Sequence, residues 1–140
     1  RFLGEAGYAC LYRGELDPAR TIFEGLTDLV PDDPVGHLGL AEVHLAQQAP
    51  RQAEKSARRA TEVAGNSPET MALAYELCGK ALLRLDKVRE AEEVLARAIE
   101  IAPDSPAARS ARALPELHRE IQAANRETER NDPPAERDNE

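Results

Sequence analysis

Three prolines frame the chain. Pro34, Pro68 and Pro106 each close a four-residue break, Pro31-Asp32-Asp33-Pro34, Gly65-Asn66-Ser67-Pro68 and Pro103-Asp104-Ser105-Pro106, at spacings of 34 and 38 residues. Small residues keep the same steps. Ala19, Ala53 and Ala91 align, followed by Phe23, Ala57 and Leu95, and then by Leu26, Ala60 and Ala98. Twelve residues before each aligned alanine stand the pairs Ala6-Gly7, Leu40-Ala41 and Cys78-Gly79. A period near 34 residues implies stacked supersecondary units, none of which buries its apolar face alone. Small side chains at fixed places are what two helices need where their backbones cross closely.

The residues in each unit favour helices over strands. Ala (24) and Leu (16) dominate the apolar set, Val and Ile together number 10, and Trp is absent. The prolines fall at segment edges, where a helix accepts Pro in its first turn. Each unit therefore reads as a first helix (1–13, 34–46, 68–83), a short turn, and a second helix (18–29, 51–64, 88–101). Asp17-Pro18 has the form of a cap and first turn, and Gly14 supplies a permissive turn backbone. Gln48-Ala49-Pro50 carries weaker turn chemistry.

The 38-residue step lies inside the first helix of the third unit, since Pro34 to Ala41 is 7 residues and Pro68 to Gly79 is 11. Four extra residues lengthen a helix by about 6 Å while nearly preserving its face, so residues 68–76 are expected to project beyond their neighbours. After Pro106, Leu114, Leu117, Ile121 and Ala124 form an apolar stripe on a polar background. This predicts a capping helix over 106–125, split or kinked at Pro115. The polar segment 126–140, with Pro133-Pro134, is expected to be a disordered tail or linker.

The recurring small and apolar positions, with a proline opening each unit, resemble the tetratricopeptide repeat. The resemblance covers 1–33, 34–67 and 68–105 as three repeats. It departs from the family pattern at two aromatic packing positions, held by Leu3, His37 and Tyr75 and by Cys10, His44 and Leu82. It implies an all-α, right-handed superhelical array of antiparallel helix pairs whose first helices line a concave groove. By the same resemblance the groove-facing residues are Tyr8, Leu11 and Tyr12, then Val35, Leu38, Glu42, Leu45 and Ala46, then Leu73, Glu76, Lys80, Leu83 and Arg84. Apolar contacts with a few charges suit an extended or helical peptide of a partner protein. Gly4 and Tyr8 stand where carboxylate-clamping relatives place Lys and Asn, which disfavours that ligand.

Candidate chemistry elsewhere reads as structure. His37 and His44 share a helix face but occupy packing positions and lack a third ligand at a metal-like spacing. Cys10 and Cys78 fall at helix interfaces with no adjacent base, as buried thiols do. Asp32-Asp33 and the Glu90, Glu92, Glu93 group read as solvated charge. No Walker loop, nucleophile elbow or paired Cys-x-x-Cys occurs. The expectation is a segment with no catalytic residues, metal or cofactor.

Charge and hydropathy bound the partners. Lys plus Arg number 18 against 26 Asp plus Glu, a formal charge of −8 spread evenly along the chain, which disfavours nucleic acid. No apolar run approaches the roughly 20 residues of a membrane span. Two cysteines make no disulfide framework, so a reducing, cytoplasmic compartment is the default. Arg1 opens the sequence within a helix-like stretch, as in a fragment of a longer chain. The reading is a scaffold or adaptor, monomeric or homodimeric. The alternatives are a chaperone of the bacterial secretion type holding one substrate, to which high Ala and Arg usage adds a hint of a GC-rich bacterial source, and a regulatory or oligomerisation segment of a larger enzyme.

Overall fold

The computed structural model describes residues 2–65, 67–132 and 134. Among them are seven helices and no strand: α1 (Phe2–Tyr12), α2 (Leu16–Leu29), α3 (Pro34–Ala46), α4 (Pro50–Val63), α5 (Pro68–Arg84), α6 (Val88–Ile101) and α7 (Pro106–Asn131). Each helix packs on the next. In addition α1 meets α3, α3 meets α5 and α5 meets α7, while among the described residues the backbones of α2, α4 and α6 do not pack on one another, and a loose ion pair, Arg58 to Glu90 at 3.9 Å, links α4 to α6. The array therefore closes toward its odd-numbered helices, and these build the concave side.

The proline breaks work as start signals. Asp33 accepts from Val35 N at 2.9 Å, Ser67 from Thr70 N at 3.3 Å and Ser105 from Ala108 N at 3.1 Å, each directly before the first-turn proline of α3, α5 or α7. Asp17 does not cap α2, contrary to the sequence expectation. That helix starts at Leu16 after Glu15, with no side-chain cap, and α4 and α6 start likewise.

A backbone motif explains the difference. Glu15 N bonds Cys10 O (2.9 Å), Ala49 N bonds His44 O (2.8 Å) and Lys87 N bonds Leu82 O (2.9 Å), while Gly14, Gln48 and Asp86 bond back three residues. This paired closure ends the first helix on a left-handed residue. Gly14 has φ 77°, and Gln48 and Asp86 both have φ 59°. The second helix leaves the turn already oriented, so the weakly signalled turn at Gln48 has the same form as the one at Gly14.

Small residues admit large ones across the pairs. A Cβ on Gly79 would sit 2.3 Å from Leu95 Cδ2, and one on Gly7 would sit 2.7 Å from Phe23 Cζ. The buried apolar residues form two clusters. Cys10, Ala19, Phe23, Leu26 and Val43 make the first, and buried residues of α3 to α7, among them Leu38, Leu45, Leu77, Leu82, Leu95 and Ala111, make the second.

Three expectations at the C-terminal side are corrected. Pro115 does not split α7, because Ala107, Ala108 and Ala111 are buried before it and Leu114 packs on the same core, which offsets one missing N–H. The helix also passes residue 125 to Asn131, so 126–131 are helical rather than disordered. Good helix formers fill this stretch, Thr128 Oγ1 bonds Ala124 O at 3.0 Å, and Arg130 sits in the last turn. The remainder of the expected tail, apart from Asp132 and Pro134, lies outside the described residues. Finally, α5 does not project along 68–76. Ala72, Ala74 and Glu76 are buried and only its first turn is exposed, because α7 packs alongside the added turn.

Candidate functional site

Helical spacing puts three short stripes on one hollow. Glu42, Leu45 and Ala46 of α3, Leu77, Lys80, Leu83 and Arg84 of α5, and Leu114, Leu117, His118 and Ile121 of α7 repeat at three- and four-residue steps, as residues on one helix face do. They line an open cavity of about 490 Å³ on the concave side. Leu45 and Leu83 are buried in its floor, whereas Leu117 and Ile121 are about half exposed at its edge (48% and 49%).

The cations of this hollow are tied down. Lys80 Nζ lies 2.9 Å from Glu76 Oε1, and Ser110 Oγ donates to the same oxygen at 2.7 Å. Arg84 Nη1 donates to Leu45 O at 2.6 Å and reaches Gln48 Oε1 at 3.5 Å, which links α5 to the end of α3. Glu42 is different. Its Oε2 is buried without a hydrogen-bond partner among the described residues, as is Nε2 of His118, which stands 3.7 Å from Asp86 Oδ1. Burial pushes the Glu42 carboxyl above the usual carboxylate range, against the opposing pull of the Tyr8 hydroxyl and the Lys80 ammonium.

A second hollow of about 720 Å³ lies beside it, lined by Gly4, Glu5, Tyr8, Ala9 and Tyr12 of α1 with Asp33 and Val35. Tyr8 packs edge-on to Phe23 (5.0 Å) and stacks on Tyr12 (6.1 Å), which is exposed. Burial, then the Glu42 charge, holds the Tyr8 phenol well above its ordinary value.

Of the thirteen groove residues singled out from the sequence, Glu42, Leu45, Ala46, Lys80, Leu83 and Arg84 meet in the main hollow, and Tyr8, Tyr12 and Val35 in the second. The other four line neither. Leu38 is buried in the larger core and Leu73 packs on it, Leu11 packs on the smaller one, and Glu76 is buried beneath Lys80. The sequence reading gives α7 a capping role, with folding across the groove as an alternative, and counts none of Leu114, Leu117, His118 and Ile121 among the groove residues. Their stripe was visible, but that it turns toward α3 and α5 depends on packing.

A third hollow, of about 630 Å³, lies between α3 and α4 and is lined by His37, His44, Gln52, Lys55, Ser56, Arg58, Arg59 and Glu62. Burial lowers both imidazoles, with the charge of Arg59 adding at His37 and that of Arg20 at His44. A histidine depressed in the native state is protonated first in the unfolded one, so unfolding takes up protons as pH falls through the ordinary value of 6.5. Stability is expected to fall on acidification below that point. A His37→Gln, His44→Gln variant should lose less between roughly pH 7 and 5 in urea titrations. Glu42, raised in the native state, acts in the opposite sense above 4.5, and the comparison with the variant cancels its effect.

The thiols follow their burial. Burial pushes Cys78 up to about 11, with Arg58 opposing, and its side chain is sealed between α5 and its neighbours. Iodoacetamide at mildly alkaline pH is expected to alkylate Cys10 ahead of Cys78 in the native protein, and both together in urea, as read by mass spectrometry.

Comparison with known proteins adds three findings. The family model described as Tetratricopeptide repeat matches residues 5–69 and 38–106. The crystal structure of the Sgt2 TPR domain from Aspergillus fumigatus is similar, at 26% sequence identity and a TM-score of 0.71, over 96% of this chain and 85% of that one. No curated protein matches the chain in sequence.

Proposed function

Since the chain belongs to the tetratricopeptide repeat family, whose fold is a general protein–protein interaction module, we propose that it acts as a non-catalytic adaptor that holds a segment of a partner protein in its concave hollow. One observation carries this reading: α3, α5 and α7 converge an apolar floor and several polar groups on one open cavity. Apolar area supplies affinity, and a few placed polar groups set the register of the bound segment. No helix among the described residues is long and apolar enough to cross a membrane.

The test is affinity capture from lysate with the native protein and with a Leu117→Ser, Ile121→Ser, Arg84→Glu variant. All three side chains are exposed, and because Arg84 also holds the Leu45 carbonyl, circular dichroism and a thermal melt check first that the variant keeps the native fold. Loss of a captured protein from the variant alone is the expected result. Identical captures, or none with either, would count against the hollow.

A further inference from the structure

Deepening the adaptor reading and resting on it, we infer that the segment held in the main hollow carries a basic side chain beside its apolar anchor, and that this cation docks on Glu42. The Tyr8 hydroxyl and the Lys80 ammonium face the Glu42 carboxyl from α1 and α5, yet its buried Oε2 has no hydrogen-bond partner among the described residues, and an orphaned buried acceptor is the kind of group a ligand completes. The cations already lining the hollow are engaged: Lys80 on Glu76 at 2.9 Å, and Arg84 on the Leu45 carbonyl at 2.6 Å. His118 points its own orphaned Nε2 toward Asp86, outside hydrogen-bond reach at 3.7 Å.

The surroundings favour a cation over any other donor. Leu45, Leu77, Leu83, Leu114, Leu117 and Ile121 wall the hollow, and attraction between opposite charges is stronger in such a setting than in water. The formal charge of −8 steers basic segments toward the chain and acidic ones away. An ammonium or guanidinium would supply the donors that Oε2 lacks and would offset the cost of a buried carboxylate. The flanking apolar residue would rest between Leu83 and the exposed edge at Leu117 and Ile121.

The experiment selects peptides from a displayed library of random short sequences, on the native protein and on Glu42→Gln. Lys or Arg next to an apolar residue is expected to be enriched on the native protein. On the variant the basic preference should vanish while the apolar one remains. In a selected peptide, replacing the basic residue with norleucine should weaken native binding by about tenfold or more and leave binding to the variant nearly unchanged. Selected peptides without a basic preference, or with the same preference on both proteins, would overturn the Glu42 assignment and leave the adaptor reading standing. If no peptide is selected that the triple groove variant loses, both fail together. Should Glu42→Gln not fold, n-octylammonium and octanoate are titrated into the native protein by amide NMR. Shifts at Glu42, Leu45 and Leu83 with the ammonium alone are expected, and equal or stronger shifts with the carboxylate would overturn the inference.

Discussion

Phe23→Ala is expected to cost the protein about 3–5 kcal/mol, the range for deleting a fully buried aromatic ring. Phe23 is completely buried, lies between α1 and α3, and meets Tyr8 edge-on at 5.0 Å. Its fit depends on two glycines. A Cβ on Gly39 would lie 2.2 Å from Phe23 Cδ1, and one on Gly7 would lie 2.7 Å from Cζ. Gly39→Ala is therefore destabilising alone, by about 1–3 kcal/mol, despite the better helix propensity of alanine. Combined with Phe23→Ala it should become stabilising, because the new methyl group enters vacated space. Urea unfolding of the four proteins measures this cycle, and simple additivity would refute the packing described. Hydrogen exchange should quicken in α1 to α3 and change little in α5 to α7, because the two core clusters are separate.

Lys80→Met is the second large effect, about 2–4 kcal/mol, and it arises from charge rather than volume. Glu76 is 4% exposed and Lys80 is the only cation bonded to it among the described residues. Removing Lys80 strands a buried carboxylate with a single donor, the Ser110 hydroxyl. Adding Glu76→Gln to Lys80→Met should restore most of the loss, since a neutral amide costs far less to bury than an unpaired charge. The position of Lys80 at the water-facing edge of the hollow sets the lower end of the range. A thermal melt of the double variant no higher than that of Lys80→Met would contradict the pairing.

The repeat was legible because its signals recur. The small residues at Gly7 and Gly79 and the breaks that end in Pro34, Pro68 and Pro106 can be read by aligning the chain on itself, and the structure uses the first for packing and the second for caps at Asp33, Ser67 and Ser105 rather than at the expected Asp17. The turns at Gln48 and Asp86 were not legible. Their residues adopt φ 59° because backbone bonds at both helix ends impose it, with no glycine to signal it.

The site was half legible for a related reason. Position within the repeat states which face a residue occupies, and this placed Glu42, Leu45, Lys80, Leu83 and Arg84 together. It does not state what else covers that face. Glu76 occupies the same register as Gly4 and Leu38, which are buried likewise, but it alone of the three is met by α7, whose Ser110 hydroxyl donates to its carboxylate. The length of α7 was misjudged because its last turns carry almost no apolar residues. There local helix propensity and the terminal Arg130 decide the structure.

The central claim is that the concave side, and not the outer helices, holds the partner segment. An amide NMR titration of the native protein with one of the selected peptides tests it most directly. Perturbations concentrated on α3, α5 and α7, strongest around Glu42, Leu45, Leu83 and Leu117, are expected. Perturbations confined to α2, α4 and α6, with those four residues unmoved, would contradict it.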